Sequence, residues 1–158
     1  MRQIFYDTTD LYDEEIALRL ISRGRANPKK RWAPTYYFAI VRLIDEVVVG
    51  HCDFRIGNTE KLFFGGNIGY HVLTSYRGHH YAAKACLLLR RLAQRHEMPY
   101  LIITCNPENH ASRKTCENVG GVLLGVVDLP TDNDMYRQGE RRKLVYKVLL
   151  QAQTGGKR

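Results

Sequence analysis

Long apolar runs, paired cysteines and acidic charge are what this chain has least of, and each shortage excludes something. Nothing in it approaches the ~18 consecutive apolar residues of a membrane-spanning helix, and Met1 to Glu15 has no apolar stretch resembling a secretory h-region. The expectation is a cytoplasmic protein without a membrane partner. Its four cysteines, Cys52, Cys86, Cys105 and Cys116, are widely spaced and form no CxxC pair. That spacing suits buried or free thiols in a reducing compartment, not zinc ligands or a disulfide frame, so no metal is expected. There is neither an internal repeat nor a low-complexity linker.

Acidic residues number 16 against 24 basic ones, a net charge of +8. Such a surface attracts nucleic acid, acidic lipid or an anionic ligand without choosing among them. The basic residues are dispersed, with local groups at Arg23 to Arg31, Arg77 to Arg95 and Arg137 to Lys143. A solvated surface with one anion site fits that dispersal. No helix-turn-helix, zinc or RNA-binding aromatic signature supports a nucleic-acid partner.

What is present is an ordinary globular composition, 44% apolar and 25% charged over 158 residues, enough for one domain with a sizeable core. The domain is expected to span residues 1–150, with 151–158 a frayed tail. Asp10 to Arg25 reads as a helix, with carboxylates at its N-terminal end and Leu11, Ile16, Leu18, Leu20 and Ile21 as apolar surface. Tyr36 to Ile44 and Glu46 to Arg55 are rich in β-branched and aromatic residues and read as an antiparallel hairpin. A strand from Asn67 to Leu73 follows, then a helix from Ala82 to Arg95 that Met98-Pro99 stops. Tyr100 to Cys105 is a short apolar strand, so this strand, helix and strand predict a right-handed parallel crossover. Asn106 and Pro107 open a further helix that Gly120-Gly121 ends. Val122 to Val127 and Lys143 to Leu150 are the last strands, on either side of the polar loop Asp128 to Arg142.

The most informative stretch runs from Gly69 to Ala93. A strand-like run, Gly69-Tyr70-His71-Val72-Leu73, passes through a short polar turn, Thr74 to Ala82, straight into an amphipathic helix. Such a turn leaves backbone N–H groups unpaired and aimed at one spot, where a polyphosphate can sit. The segment therefore predicts a phosphorylated cofactor. The adjacent pair His79-His80 serves better as cation and N–H donor to phosphate than as a metal site, since neighbouring side chains diverge and no second cluster supports them.

Within that turn the run Arg77-Gly78-His79-His80-Tyr81-Ala82 resembles the pyrophosphate loop of the GNAT superfamily of acyl-CoA-dependent N-acyltransferases. The family pattern is Arg or Gln, two residues, Gly, one residue, then Gly or Ala, opening a helix. His80 stands where the family usually has glycine. The resemblance implies a single-domain α/β GNAT fold, a mixed sheet of about six or seven strands with helices on both faces. It also implies transfer of an acetyl group from acetyl-CoA to a primary amine in a ternary complex, and it is compatible with a homodimer. A non-catalytic acyl-CoA-binding module on the same fold is the rival reading.

By the same resemblance Val72 and Leu73 hold the pantetheine arm, and an N–H between Tyr70 and Val72 faces the thioester carbonyl. Asn109 and Ser112, followed by Glu117 and Gly120, are similar to the family's second cofactor segment, although both residues also suit a helix start. Cys116 takes the position where many members carry a tyrosine general acid, so its thiol is a candidate to protonate the departing CoA. The proton of the attacking amine needs an acceptor, for which His71 and His51 are candidates, with Glu60 and Asp53 behind them. Trp32 and Tyr36-Tyr37-Phe38 are read as packing residues, with a possible lining role for an acceptor pocket. The three carboxylates between Asp128 and Asp134 suggest a cationic amine acceptor.

Overall fold

The computed structural model describes residues 5–150, so the expected tail lies outside the described residues. In chain order the elements are β1 (Ile16–Gly24), β2 (Thr35–Arg42), β3 (Val47–Arg55), α1 (Glu60–Gly65), β4 (Ile68–Val72), a 3-10 turn (Thr74–Tyr76), α2 (Tyr81–Arg95), β5 (Tyr100–Cys105), α3 (His110–Asn118), β6 (Val122–Asp128), α4 (Asp134–Arg137) and β7 (Arg142–Leu149). They form an α/β fold whose seven strands divide into two sheets, β1-β2-β3-β4 and β5-β7-β6. No helix among the described residues is long and apolar enough to cross a membrane.

The predicted β2–β3 hairpin is present, with Thr35 opposite Arg55 and Arg42 opposite Val47. The first predicted helix is not. Ile16 to Gly24 is a strand paired antiparallel to β2, because Ile16, Leu18 and Leu20 alternate with the period of two that a pleated edge needs. The carboxylates before it do other work. Asp13 Oδ1 accepts from the N–H groups of Glu15 and Ile16 at 2.7 and 2.8 Å, closing a turn. Glu15 and Asp10 pair with Lys84 and Arg95 of α2 at 2.9 and 2.7 Å.

The parallel crossover is likewise corrected: β4 and β5 flank α2 in sequence but belong to different sheets. Their closest link is Asn67, which is fully buried. Its backbone N–H donates to the Ile102 carbonyl at 2.7 Å, and its Oδ1 accepts from the Ile102 N–H at 2.8 Å. Beyond Asn67 the strands share no ladder, so β4 and β5 open into a gap.

α2 lies across one face of the first sheet and buries Ala85, Cys86, Leu88, Leu89 and Leu92 against Phe38, Phe54, Ile40 and Val49 of the common core. The opposite face of that sheet presents Arg19, Ile21, Tyr37, His51 and His71 to solvent.

The end of α2 carries a titrating group. The Tyr36 hydroxyl lies 2.7 Å from His96 Nε2 and accepts from the Tyr6 N–H at 2.8 Å, so the phenol proton goes to an imidazole that must be neutral. Burial, helped by the Arg95 charge, lowers His96 from 6.5 to about 4. The unfolded chain therefore binds a proton that the folded chain refuses. Stability is intact above pH 6.5 and declines as the pH falls toward 4, by on the order of 2 kcal/mol for this half-buried group. Urea unfolding at pH 7.5 and 4.5 should show that loss, and His96→Gln should remove it.

Candidate active site

The site grows out of β4. At one end of the strand the Arg55 N–H bonds the Asn67 carbonyl at 2.7 Å, and at the other the Leu73 N–H bonds the Val49 carbonyl at 2.9 Å. The register between is unbroken. The alternation of an antiparallel ladder then turns the main-chain groups of Gly69 and His71 toward β3 and those of Tyr70 and Val72 outward into the gap. Side chains alternate too: Tyr70 and Val72 pack against the core, while His71 is exposed and stands directly opposite His51 on β3. Gly50 lets the two strands approach, since a Cβ there would collide with the His71 carbonyl oxygen and stand 3.0 Å from Val72 Cα.

After β4 the chain makes the turn that the sequence marks. Arg77 Nε donates to the Val72 carbonyl at 2.9 Å, which ties the turn to the strand end. Gly78 has φ +93, and nothing lies within 4 Å of where its Cβ would be. His80 caps α2 with φ 64 and ψ 22, the left-handed region, and makes no side-chain capping bond. The chain thus keeps a glycine-like conformation with an imidazole added, at a backbone cost of ~1 kcal/mol. The first-turn N–H groups of α2 are left to face the cleft with the favourable end of the helix dipole.

This cleft, of about 410 Å³, lies between β4 with its turn, α2 and α3. It brings together Val72, Arg77, Gly78, His80, Tyr81, Ala82, Asn109 and Ser112 of the residues expected to bind cofactor. Leu73 and His79 are not on its wall; Leu73 spends its N–H on β3 and the His79 ring packs 5.4 Å from that of Tyr81. Asn109, not Asn106, caps α3, with Oδ1 accepting from the Ser112 N–H at 3.1 Å. The helix-start reading of Asn109 therefore holds for Oδ1. Sequence reasoning missed Lys114, Thr115 and Asn118, which line the cleft from α3. Their spacing, three, four and seven residues on from Ala111, was the available signal.

Cys116 sits behind that wall, fully buried in the core. A contact with the Cys105 thiol, and then burial, push its pKa well up. The Tyr70 hydroxyl occupies the neighbouring space, 3.5 Å from the Ser112 carbonyl, and interacts with the Cys116 thiol. Burial raises the Tyr70 phenol as well, so it keeps its proton and remains a donor.

A second cleft, of about 450 Å³, lies on the uncovered face of the first sheet and is lined by Ile21, Ser22, Tyr37, His51, Asp53, Tyr70 and His71, among others. Tyr70 and His71 line both clefts, so only β4 separates them. Asp53 is the single carboxylate on this wall. It is paired with Arg55 at 2.8 Å, and burial raises its pKa. Glu60 stands elsewhere, beside Lys61 and Phe64. So does the Asp128 to Asp134 loop, whose Asp132 and Asp134 face Lys30, Arg31 and Lys61 across a third cleft.

A strand edge with N–H groups turned outward, a helix N-terminus beside it and two clefts meeting at the same residues make up the candidate site. The chain belongs to the acetyltransferase (GNAT) domain family, whose model matches residues 1–122. Among solved structures it is similar to a putative ribosomal-protein-serine acetyltransferase from Vibrio cholerae, at 18% identity and TM-score 0.63, covering 90% of this chain and 99% of that one. It is also similar to a GNAT-family acetyltransferase from Bacillus anthracis, at 22% identity and TM-score 0.56, over 72% of this chain and 65% of that one. A third similar structure is the Microcin C7 self-immunity acetyltransferase MccE in complex with acetyl-CoA and AMP, at 18% identity and TM-score 0.58, over 73% and 61%. The chain thus spans less than two thirds of the length of the last two. No curated protein matches its sequence.

Proposed function

We propose that the protein transfers an acetyl group from acetyl-CoA to a primary amine by direct attack in a ternary complex. The observation that carries this reading is the meeting of two clefts at Tyr70 and His71, one with a phosphate-type end and one open to solvent. The α2–α3 cleft fits the cofactor: its glycine leaves open space, its helix N-terminus is uncapped, and Arg77, His80 and Lys114 supply donors. When bound there, acetyl-CoA supplies an activated acetyl group.

The chain's own residues do the rest. The outward N–H groups of Tyr70 and Val72 stabilise negative charge developing on a carbonyl oxygen in the gap. Val72 and the Asn109 amide hold the arm of the cofactor. The Tyr70 hydroxyl, beside the buried Cys116, donates a hydrogen bond to the leaving sulfur. His71, on the acceptor side of β4 with His51 beside it, takes the amine proton directly or through water. A protein amine as acceptor agrees with the ribosomal-protein activity for which the Vibrio cholerae protein is named.

Acetyl-CoA at about 100 times its Kd should raise the melting temperature by on the order of 5 °C, through binding to the folded state alone. Gly78→Leu should weaken that binding at least tenfold, because backbone must approach the phosphates closely. A flat melting curve at millimolar acetyl-CoA and CoA would sink the cofactor assignment. Thermal shift with no amine-dependent thiol release would reduce the protein to a binding module.

A further inference from the structure

We propose that the acceptor amine is presented by an acidic segment of polypeptide, which the basic β1–β2 hairpin holds beside the open face of the sheet. This rests on the acceptor site assigned above. From Arg23 to Trp32 the hairpin carries Arg23, Arg25, Lys29, Lys30 and Arg31 and no acidic residue, and all five cations are exposed, although Arg23, opposite the buried Tyr36 and over the Phe5 ring, is on the core side of the sheet. Among the described residues none of the five has a carboxylate within ion-pair distance; the paired cations are all elsewhere. Lys61 adds a sixth cation at the tip, its Nζ donating to the Lys30 carbonyl at 3.4 Å.

The tip is built rather than frayed. Asn27 and Trp32 exchange backbone bonds of 3.0 and 2.9 Å, and Arg31 N–H bonds the Pro28 carbonyl at 3.2 Å. Asn27 Oδ1 accepts from the Lys30 N–H at 3.2 Å, and Lys30 Nζ sits 4.5 Å from the centroid of the Trp32 ring. Charges held this way lose less freedom on binding than charges on a loose loop. Trp32 itself is 52% exposed, so an apolar surface accompanies the charge. The acids nearest the tip, Glu60, Asp132 and Asp134, lie in the cleft behind it, where Asp134 is tied to Arg137. Lys30, Arg31 and Lys61 share that cleft with them, while Arg25 and Lys29 stand outside it.

The base of the same hairpin reaches the acceptor cleft. Ile21, Ser22 and Tyr37 line that cleft, and Ser22 pairs with Tyr37 in the ladder. Arg25 is three residues further along the strand direction, roughly 10 Å at strand spacing. An extended chain with its amine at His71 thus meets the cations within its first ten or so residues, at about 3.4 Å per residue. Within the cleft the lone carboxylate, Asp53, is neutralised by Arg55, so a polycationic acceptor finds no partner there. A polypeptide is favoured over a nucleic acid because the reaction needs an alkyl amine. The amino groups of nucleobases are conjugated into their rings and are poor nucleophiles.

Trp32 is the only tryptophan, which gives a direct readout without catalysis. Its emission, and the anisotropy of a labelled peptide, should report saturable binding of a synthetic peptide with a free N-terminus and acidic residues at positions three to ten. Raising salt from 50 to 500 mM should weaken binding about tenfold or more, as screening shortens the reach of the charges. The combined variant Lys29→Glu, Lys30→Glu, Arg31→Glu should lose affinity, and kcat/KM for that peptide, by at least tenfold. Its melting shift with acetyl-CoA and its turnover of a small neutral-side-chain amine should be unchanged. Equal binding of a peptide with Asn and Gln replacing the acids, or unchanged affinity in the variant, would overturn the proposal. Binding of a uridine oligonucleotide but not the acidic peptide would overturn it in favour of nucleic acid. Loss of acetyl-CoA binding or of all turnover in the unmodified protein is a separate result, against the acetyltransfer reading.

Discussion

Asn67→Ala is expected to lower unfolding free energy by about 3 to 5 kcal/mol, from two or three buried groups left unpaired. The side chain is fully enclosed. Its Nδ2 donates to the Arg55 and Gly57 carbonyls at 2.9 and 2.8 Å, and its Oδ1 accepts from the Ile102 N–H at 2.8 Å. Alanine strands all three partners in a place water reaches poorly, and leaves a cavity the size of an amide. The residue also joins the two sheets at the closed end of the gap, so the damage should extend to function. Urea unfolding should give the loss directly, and the melting temperature should fall by on the order of 10 °C. A loss below 1 kcal/mol would show that the sheets are joined by packing alone.

The second large effect is expected at Tyr70. If its hydroxyl steadies the leaving sulfur, Tyr70→Phe should lower kcat by about 10²-fold with little change in the KM for acetyl-CoA, since that bond matters in the transition state. Phenylalanine keeps the ring that packs on the core, so stability should hold within about 1 kcal/mol. Cys116→Ala should behave in the opposite way: a stability loss of about 1 to 2 kcal/mol from a small cavity, and turnover within a few-fold of normal. Steady-state kinetics and melting on the two variants separate the roles. A large kcat loss in Cys116→Ala with Tyr70→Phe unaffected would return the donor role to the thiol.

The turn from Arg77 to Ala82 was legible because a polar, glycine-bearing stretch between a strand and a helix has few conformations open to it. Even the departure at His80 left the backbone left-handed. Asn109 was legible as a helix-start residue, and its Oδ1 caps α3. Ile16 to Gly24 was misread because three carboxylates before an apolar run look like a helix start. The real partners of Glu15 and of Asp10 before it, Lys84 and Arg95, lie some 70 or more positions away, and local propensity carries no information about them. The full burial of Cys116 was not legible for a related reason. Helical spacing groups it with Ser112, but a few tens of degrees of rotation decide whether a side chain faces a cleft or the core.

By itself the sequence determined the family, the strands and helices after Thr35 apart from the short α1 and α4, and the position of the turn into α2, all of which rest on contacts between residues close in the chain. Only the tertiary structure decided that β4 and β5 part beyond Asn67 and that His71 faces the open side of the sheet. It alone brought the Tyr70 hydroxyl beside Cys116 and the base of the basic hairpin beside the cleft on the open face. Each of these depends on how separate elements pack, and packing is set by the shape of the whole core rather than by any one segment.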